Sequence, residues 1–350
     1  MALITNTSPF YHTIIIGGGQ AGLAAAYYLQ KQNKDFVILE AASEIGHSWK
    51  NRYDSLTLFT SARYNSLPGM PFPGNPDRFP TKDEVVDYLK NYATRLMLPV
   101  LFDTRVISVH KSDFFLVTTT KGLLRAKNVI VCTGAFQEPF IPAFSNQLNT
   151  SILQLHSSDY KRPSQLKPGD TLVVGGGNSG VQIVEEILNE PGSALFSFSG
   201  KLKAMPNNRL TQLLVFGCGL ASASIHSPVG KWLKSRPEPV IGTDLKKLFA
   251  DPRLRLVGRT NGGNRLEIFC ENATLDSVQN IIWATGFKPD FTWIDADIFN
   301  KAGYPEHERG VTRLKGLYFL GLPWMHSRFS GLLGGVGKDA EYISKLVVRN

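Results

Sequence analysis

Residues 13–22 read TIIIGGGQAG, and residues 171–180 repeat almost the same pattern as TLVVGGGNSG. In each copy an apolar, β-branched run leads into glycines spaced G-x-G-x-x-G, and a helical pattern follows. This strand, turn and helix form the unit that binds a dinucleotide in Rossmann-type folds. The sequence therefore predicts an α/β protein with two Rossmann-like dinucleotide-binding domains.

The first glycine-rich turn carries the features that a dinucleotide site needs. Gly17 permits the tight turn, Gly19 lets the backbone approach a pyrophosphate, and Gly22 lets the helix pack closely on the strand. The helix N-terminus supplies amide donors to the anion. The next strand, DFVILE, ends at Glu40, where a carboxylate can accept hydrogen bonds from ribose hydroxyls. A glycine-rich turn of any α/β domain is the alternative, but Glu40 favours a dinucleotide. The residues predicted for this site are Gly17, Gly19, Gln20, Ala21, Gly22 and Glu40.

The second turn lacks the acidic residue. Phe198 lies as far beyond Gly175 as Glu40 lies beyond Gly17, and Ser199 and Lys201 follow it. A carboxylate there would repel a ribose 2′-phosphate, whereas a hydroxyl and an ammonium group can bind one. Solvated surface charge is the alternative for the lysine. The residues predicted for this site are Gly175, Gly177, Asn178, Ser179, Gly180, Ser199 and Lys201.

Two further strands end in Thr-Gly, within VIVCTGAF (129–136) and IIWATGF (281–287). Each follows one glycine-rich motif, so we interpret Thr133-Gly134 and Thr285-Gly286 as the points where the chain leaves the first domain and later returns to it. Thr133 and Gly134 are also predicted residues of the first dinucleotide site, and Thr285 and Gly286 of the second. The second dinucleotide domain is therefore predicted to be inserted into the first. The predicted bounds are residues 1–163 and 281–350 for the first domain and 164–280 for the second.

Composition excludes several other classes of function. A chain of 350 residues with 43% hydrophobic residues can bury a large core. Cys132, Cys218 and Cys270 form no C-x-x-C pair, and no histidine has metal-ligand spacing, so we expect no redox dithiol and no metal site. No G-x-S-x-G elbow is present either. No basic leader precedes the first apolar run, which predicts a cytoplasmic protein.

The positive charge of the chain is concentrated in one region. The net charge is +9, and residues 200–265 contain twelve Lys and Arg against three Asp and Glu. Such a field suits a phosphate-bearing ligand, and a solvated basic face is the alternative. Because no aromatic-interleaved basic motif or helix-turn-helix pattern occurs, we expect no nucleic-acid partner.

Residues 210–230, LTQLLVFGCGLASASIHSPVG, carry no Lys, Arg, Asp or Glu over a length that can cross a bilayer. The polar residues and Pro228 within them argue against a transmembrane segment. A buried helix followed by a loop is the preferred prediction, with a surface-associated segment as the alternative.

The whole set of motifs resembles one family. GGGQAG, GHSWKNRYDSLTLFT, LPGMPFP, TKDEVVDYLKNYA, TGAFQEP, HSSDY, GGGNSG, ATGF and GLYFLGLPWMHSRFSGLLGGVGKDAEYI are together similar to the flavin-containing monooxygenase family in the broad sense. Within it, the chain resembles small bacterial flavoproteins associated with cation efflux and the plant indole-pyruvate monooxygenases. The resemblance implies FAD at the first site and NADPH, with NADH as an alternative, at the second. It also implies that reduced flavin captures dioxygen as a C4a-hydroperoxide.

The resemblance extends to residues near the flavin. Gly46 and Trp49 match the family segment, while His47 replaces the second glycine of its usual pair. LTLFTSARYN resembles the strand beside the flavin and includes Thr60, but Ser61 stands where the mammalian-type members carry Asn. Further implied contacts to the FAD come from Val106, at the adenine, and from Leu332 and Leu333, whose turn aims amides at the flavin.

Other positions match in part. His156 and Tyr160 are what remains of the motif F-x-G-x-x-x-H-x-x-x-Y/F. His156 is predicted either to orient the nicotinamide or, as the preferred interpretation, to brace the linker between the domains. Arg328 is predicted to meet an acidic substrate or to pair with a nearby carboxylate.

The resulting prediction is an FAD-dependent, NAD(P)H-using monooxygenase that oxygenates a small nucleophile, a sulfide or an amine. Alternatives are a Baeyer-Villiger or oxo-acid monooxygenase, an NADPH oxidase or flavin reductase that inserts no oxygen, and a regulatory flavoprotein in metal resistance. The expected partners are a small-molecule substrate and dioxygen. A homodimer is left open.

Overall fold

The computed structural model describes residues 8–265 and 267–349, so the outermost residues of the predicted first domain, 1–7 and 350, lie outside the described residues. The strands are β1 (Phe10–Ile16), β2 (Phe36–Leu39), β3 (Val100–Leu101), β4 (Val106–Lys111), β5 (Phe115–Thr119), β6 (Gly122–Val131), β7 (Glu138–Pro139), β8 (Leu153–His156), β9 (Asp170–Val174), β10 (Ala194–Ser197), β11 (Ala204–Met205), β12 (Val240–Ile241), β13 (Leu254–Leu256), β14 (Thr260–Gly263), β15 (Ile268–Cys270), β16 (Ala273–Leu275), β17 (Val278–Trp283), β18 (Phe287–Lys288), β19 (Ile294–Asp295) and β20 (Leu317–Phe319). The α-helices are α1 (Gln20–Lys31), α2 (His47–Lys50), α3 (Lys82–Arg95), α4 (Asn178–Asn189), α5 (Arg209–Gln212), α6 (Pro228–Lys234), α7 (Leu245–Phe249) and α8 (Val336–Arg349). Short 3₁₀ turns span Ala62–Tyr64, Ala143–Gln147, Pro163–Gln165, Leu220–Ser222 and Arg328–Gly331, and a π-helical turn spans Leu213–Gly217.

The larger sheet forms behind the first glycine-rich turn. Its strand order is β19-β4-β5-β6-β1-β2-β3, and β20 pairs with the end of β6. Strands β1, β2, β3 and β20 run parallel to their neighbours, whereas β4, β5 and β6 form an antiparallel meander. The alternating apolar pattern of residues 100–131, with a turn at Lys121-Gly122, predicts such a meander, and the structure confirms it. The apolar run of β1 is buried because its sheet is covered by α1 and α8, which pack against each other.

The smaller sheet forms behind the second turn, in the order β13-β10-β9-β17-β8, with every pairing parallel. All of its strands lie in the chain between β6 and β19, which belong to the larger sheet. The prediction of an α/β fold with two Rossmann-like units, one inserted into the other, is therefore confirmed. The smaller sheet includes β8 and the whole of β17, which extend beyond the predicted range 164–280. The exact domain bounds remain a prediction.

The two chain segments that connect the larger and the smaller sheet lie side by side. After the larger sheet the chain forms β7, and after the smaller sheet it forms β18; these two strands pair antiparallel, with Phe287 opposite Pro139. The Phe140 amide donates to Gly286 O over 2.9 Å. The two Thr-Gly segments are therefore held close to each other by backbone hydrogen bonds.

Local patterns account for the ends of several helices. The pattern of Thr81 followed three residues later by Glu84 predicts a capping box, and the structure confirms it at α3: Glu84 N donates to Thr81 Oγ1 over 3.3 Å, and Thr81 N donates to Glu84 Oε2 over 2.9 Å. The tail SGLLGGVGKDAEYISKL predicts a glycine-rich turn that enters a helix, and this helix is α8.

Residues 210–230 depart from the preferred prediction of a buried helix. They form helical turns over residues 209–217 and then a 3₁₀ turn, a loop and the start of α6. Val215 and Phe216 are buried, but Leu210, Leu213 and Leu214 are exposed. The prediction of burial was wrong because the turns are apolar on two faces and only one of them packs against the protein. No helix among the described residues is long and apolar enough to cross a membrane.

Candidate dinucleotide-binding sites

The first turn is built from glycines for two different steric reasons. Gly17 has φ of +106°, and a Cβ there would lie 2.7 Å from Cys132 O; a Cβ on Gly22 would lie 2.0 Å from Gly17 O. Both positions therefore require glycine. A Cβ on Gly19, by contrast, would meet nothing within 4 Å, and Gly19 precedes α1 with no side-chain cap. The amides of Gln20 and Ala21 begin the helix beside this open space, which suits a pyrophosphate.

Glu40 lies directly behind this turn. Its Oε2 accepts a hydrogen bond from Gly18 N and its Oε1 accepts one from Ala42 N, each of 2.8 Å. Thr104 N donates to the Glu40 carbonyl over 2.9 Å, which brings the start of β4, including Val106, to the same end of the sheet. The carboxylate is partly buried and no cation pairs with it among the described residues, so its remaining lone pairs can accept ribose hydroxyls.

The family-like segment around Trp49 contacts the same turn. Trp49 Nε1 donates to Gln20 Oε1 over 3.2 Å, so two of the predicted FAD residues touch. Gly46 has φ of +83° and packs against Val86, which explains a glycine at that position. His47 is exposed, and Asn51 Nδ2 lies 2.7 Å from its Nε2. The structure gives His47 no contact with the first turn.

Thr133 and Gly134 follow β6 next to Gly17. Cys132 N donates to Ile16 O over 2.8 Å, which ties the end of β6 to the end of β1. Gln137 Nε2 donates to Thr133 Oγ1 and to Gly134 O, at 2.8 and 2.9 Å. Gly134 itself faces open space. The first turn, Glu40, Trp49 and this Thr-Gly pair thus lie together at one end of the larger sheet.

The second turn repeats the backbone geometry of the first. Gly175 has φ of +124°, and its Cβ would lie 2.2 Å from Ala284 O, while a Cβ on Gly180 would lie 1.9 Å from Gly175 O. A Cβ on Gly177 would meet nothing within 4 Å. Asn178 and Ser179 begin α4 at this open position, and Asn178 Oδ1 accepts Ile241 N over 2.8 Å.

The residue behind the second turn is aromatic. A Cβ on Gly176 would lie 2.9 Å from the Phe198 Cβ, just as one on Gly18 would lie 3.0 Å from Glu40 Oε2. Phe198 therefore takes the place of Glu40, and its ring stacks on Phe249 with centroids 6.0 Å apart. Ser199 and Lys201 are exposed beside it, and Lys201 forms no ion pair among the described residues. An anionic phosphate would meet no carboxylate of this strand end.

The place where the turns Thr133-Gly134 and Thr285-Gly286 meet, which we call the seam, contains a cation that the sequence did not indicate. The Arg52 guanidinium carbon is 5.3 Å from the centroids of both Phe136 and Phe287. Burial lowers the pKa of Arg52. It occurs within the quoted segment GHSWKNRYDSLTLFT, but nothing in a local pattern indicates that two aromatic rings from distant turns enclose it.

His156 is also buried in this seam. Its Nε2 lies 2.9 Å from Gly286 O, and its Nδ1 lies 2.9 Å from Ser158 Oγ. Because a carbonyl only accepts, Nε2 carries the proton and Nδ1 accepts from Ser158. Burial lowers the pKa of His156, so the neutral ring is favoured. These contacts support the interpretation of His156 as a brace of the linker.

A pocket of about 160 Å³ lies where residues 59–65 meet the helical turns at 209–213. Its lining includes Ser61, Tyr64 and Leu213. Gln212, which sequence reasoning also missed, is buried here: its Nε2 donates to Phe59 O over 2.7 Å and its Oε1 accepts Ser61 N over 3.1 Å. Gln212 is a side-chain amide within the mostly apolar run LTQLLVF (210–216), and this contrast is the sequence signal that could have identified it.

The tail reaches the same region. A Cβ on Gly334 would lie 1.8 Å from Tyr64 O, so the turn containing Leu332 and Leu333 packs directly on the 3₁₀ turn Ala62–Tyr64. Thr60 precedes this turn in a bend, so the strand expected for LTLFTSARYN does not form. Leu333 and Thr60 are buried, and Leu332 packs with Phe216. Thr60 Oγ1 lies 2.6 Å from Asn65 Oδ1. The structure thus brings Thr60, Leu332 and Leu333 together.

Two remaining features are excluded from the site. Arg328 pairs with Glu238, which corresponds to the second of its two predicted roles. A hollow of about 450 Å³ at the edge of the larger sheet, near Lys34 and Leu101, contains none of the predicted site residues.

All three cysteines are free, and burial raises the pKa of Cys132 and Cys270, so neither is a reactive thiolate.

Comparison with known proteins agrees with this geometry. Residues 14–195 match the family described as pyridine nucleotide-disulphide oxidoreductase. The chain is 44% identical to a CzcO-like oxidoreductase of Geobacillus kaustophilus, over 94% of this chain and 96% of that protein. It is 25% identical to the indole-3-pyruvate monooxygenase YUCCA1 of Oryza sativa, over 95% of this chain and 90% of that protein.

Among solved structures, a flavin-containing monooxygenase from Stenotrophomonas maltophilia superimposes with a TM-score of 0.80 at 26% identity, covering 97% of this chain and 99% of that one. The predicted resemblance to flavin-containing monooxygenases and indole-pyruvate monooxygenases is thereby confirmed.

Proposed function

The chain belongs to the pyridine nucleotide-disulphide oxidoreductase family, and from that premise we propose that it is an FAD-dependent monooxygenase that uses NADPH. The chain is a flavin monooxygenase-type oxidoreductase. The use of FAD and NADPH is supported by the pair of glycine-rich turns, with an acceptor carboxylate behind the first and an aromatic ring behind the second.

The residues of both turns fit dinucleotides. Gly19 and Gly177 each leave open space at the N-terminus of a twelve-residue helix that has no side-chain cap, so amides and the helix dipole face a position where a pyrophosphate fits. Glu40 suits the ribose hydroxyls of FAD, and the predicted contacts of Gly46, His47, Trp49, Thr60, Val106, Thr133, Gly134, Leu332 and Leu333 to FAD remain part of the proposal. NADPH is proposed at the second turn, with NADH as the alternative coenzyme.

When bound, FAD would take reducing equivalents from NADPH and pass them to dioxygen. We assign the chain's own residues to binding and positioning. The first turn and Glu40 would hold the FAD pyrophosphate and ribose. The turn at Leu332 and Leu333 would lie against the flavin; the Leu332 amide already donates to Phe329 O over 3.0 Å, so an amide donor to the flavin would come from Leu333 or Gly334. The pairing of β7 with β18 keeps Thr133-Gly134 beside Thr285-Gly286, which supports the proposal that two bound dinucleotides would meet there.

The pocket at Ser61, Tyr64 and Leu213, whose lining also includes the charged residues Arg63, Asp77 and Arg209, is the proposed substrate site. Its volume of about 160 Å³ limits it to a very small molecule, for which we propose a sulfide or an amine. Buried Gln212 excludes water from one side of the pocket and fixes Ser61 through its backbone amide. The oxygen transfer that we propose would proceed through a flavin C4a-hydroperoxide.

One observation favours a second candidate, an NADPH oxidase that inserts no oxygen. Ser61 stands where the mammalian-type members carry Asn, and its short hydroxyl reaches less far into the pocket. A Baeyer-Villiger or oxo-acid oxygenase and a regulatory flavoprotein are outcomes of the test below. Because Cys132, Cys218 and Cys270 are all free, we propose the cytoplasm as the compartment.

The test measures where the electrons go. Purified protein should be yellow, and acid should release FAD rather than FMN. With NADPH, dioxygen and a sulfide or amine, oxygenated product should account for a measurable share of the NADPH consumed, and stopped-flow mixing of reduced protein with oxygen should reveal a flavin–oxygen adduct. Product from ketones or oxo-acids alone would select the Baeyer-Villiger class, and conversion of all NADPH into hydrogen peroxide would select the oxidase. Colourless protein that cannot be reconstituted with FAD would contradict the proposal altogether.

A further inference from the structure

Residues 209–236 present an exposed apolar and cationic surface, which we call the basic apolar face. Six large apolar side chains in this stretch are exposed by more than a third: Leu210 (64%), Leu213 (51%), Leu214 (52%), Leu220 (38%), Val229 (45%) and Trp232 (53%). Single exposed apolar residues are ordinary, but these six come from turns that neighbour one another in space. The π-helical turn contacts the turn Leu220–Ser222, which contacts the turn Arg328–Gly331, and that turn contacts α6.

The spacing of these residues shows that they lie on outward faces of short helical turns. Leu210, Leu213 and Leu214 are related as i, i+3 and i+4 across α5 and the π-helical turn. Val215 and Phe216, from the same turns, are buried against residues that include Tyr64 and Phe329. On α6, Val229 and Trp232 are likewise three residues apart. The inward sides of these turns are packed, and the outward sides remain apolar.

The charges of this face all have one sign. Arg209, Lys231, Lys234 and Arg236 are exposed, and no acidic residue occurs between positions 209 and 237. None of the four cations has a carboxylate within ion-pair distance in the part of the chain that the structure describes. The Arg236 guanidinium lies 4.9 Å from the centroid of the Trp232 ring, so its partner is an aromatic ring and not a carboxylate.

We propose that the basic apolar face binds the surface of a bilayer that contains anionic lipid. Leucine and tryptophan side chains flanked by lysine and arginine suit the boundary between headgroups and acyl chains, where the apolar groups insert and the cations meet lipid phosphates. The face lies on the surface of such a bilayer, because no helix of the described residues can span one.

A second copy of the chain fits this face less well than a lipid surface does. In a two-fold symmetric dimer the face would meet itself or lie close to itself, so four unpaired cations from each copy would approach one another. An anionic bilayer neutralises those same cations. The charge of the face therefore favours lipid over self-association.

The test uses the full-length, FAD-loaded protein and sedimented vesicles. We expect binding to vesicles made of equal parts phosphatidylcholine and phosphatidylglycerol, weak binding to phosphatidylcholine alone, and release by high salt. Replacing Lys231 and Lys234 with Glu should reduce partitioning at least about tenfold, since each cation near an anionic surface contributes on the order of 1 kcal/mol. The matched control replaces Lys301 and Lys315, two exposed lysines outside the basic apolar face, with Glu as well, and this variant should retain binding.

The apolar part is tested separately. Leu214→Gln with Trp232→Gln should abolish sedimentation, while Ile107→Gln with Met97→Gln, at exposed apolar positions outside the face, should not. Trp232→Phe should keep binding but lose the quenching of tryptophan fluorescence by brominated lipid. FAD content and the midpoint of thermal unfolding verify that each variant is folded.

Three results would overturn the proposal. Wild-type protein that fails to sediment with phosphatidylglycerol vesicles is the first. Equal loss of binding in the face variants and in their controls is the second, because it would mean non-specific charge attraction. The third is a dimer in solution that the face variants convert to a monomer.

Discussion

The Gly18 amide donates a 2.8 Å hydrogen bond to Oε2 of Glu40, and this contact holds the carboxylate behind the first glycine-rich turn. The second turn has the same backbone geometry, but Gly176 there faces Phe198. One fold unit is thus used twice with opposite electrostatics behind the turn. A carboxylate accepts ribose hydroxyls, whereas an aromatic ring beside Ser199 and Lys201 leaves room for a 2′-phosphate.

Replacing Glu40 with Gln should weaken FAD binding by about tenfold or more, because a charged acceptor for the ribose hydroxyls becomes a neutral amide. The FAD dissociation constant, measured by flavin fluorescence, gives the change. Asp113→Asn, at an exposed turn, is the control and should bind FAD like the wild type. Unchanged FAD affinity in the Glu40 variant would mean that the carboxylate serves only the Gly18 and Ala42 amides.

Alanine should affect different properties at two glycines of the second turn, coenzyme binding at Gly177 and stability at Gly180. Gly177→Ala should fold normally, because its φ of −77° suits alanine and its Cβ meets nothing within 4 Å, yet the methyl group should enter the pyrophosphate position. We expect the KM for NADPH to rise at least about tenfold, the cost of one misplaced charge-assisted contact. Gly180→Ala should instead lower the midpoint of thermal unfolding, because its Cβ would lie 1.9 Å from Gly175 O. Equal behaviour of the two variants would rule out this interpretation of the open space.

Coenzyme preference should depend on Lys201. Lys201→Glu should raise the KM for NADPH relative to that for NADH by about tenfold, which corresponds to one lost charge-assisted hydrogen bond. Lys246→Glu, in the same basic region, separates a direct contact from the general field and should alter both coenzymes alike. If Lys201→Glu leaves the ratio of the two KM values unchanged, that side chain does not contact the 2′-phosphate.

His156 should make stability depend on pH. Burial lowers its pKa in the folded state, so the unfolded chain binds the extra proton first as pH falls. Its contribution to the free energy of unfolding is therefore complete well above the ordinary histidine value of about 6.5 and is lost as pH falls from there through the lowered folded value. His156→Gln keeps a donor for Gly286 O and should lack this component. Urea unfolding of both proteins at several pH values measures the difference, which should shrink toward acid pH; a constant difference would contradict the argument.

Replacing Gln212 should change both the stability of the fold and the share of NADPH that is converted to hydrogen peroxide. Gln212→Met keeps the length of the side chain but leaves Ser61 N and Phe59 O without a partner, at a cost of about 1–3 kcal/mol. We expect a lower unfolding midpoint and a larger share of NADPH converted to hydrogen peroxide, because the wall of the pocket shifts. Gln30→Met, which removes an exposed amide contact to Leu96 O, provides the comparison. Equal peroxide yields in the two variants would place Gln212 outside the pocket's function.

Local patterns allowed much of the fold to be predicted. Each glycine-rich turn, the capping box at Thr81 and the meander of β4 to β6 depend on residues close together in the chain, so their spacing is sufficient evidence. The same holds for Glu40 and Phe198, because the distance from a Rossmann turn to the end of the next strand varies little.

Only the tertiary structure decided which distant segments meet. Arg52 between the rings of Phe136 and Phe287, and Gln212 on the backbone of residues 59–61, each join parts of the chain 80 to 235 residues apart. The exposure of Leu210, Leu213 and Leu214 was likewise hidden, because an apolar pattern shows that a turn can be buried but not which of its faces finds a partner. The sequence by itself determined the repeated units and their chemistry, since these depend on local backbone sterics. The seam, the pocket and the basic apolar face depend on packing between units, which no local spacing encodes.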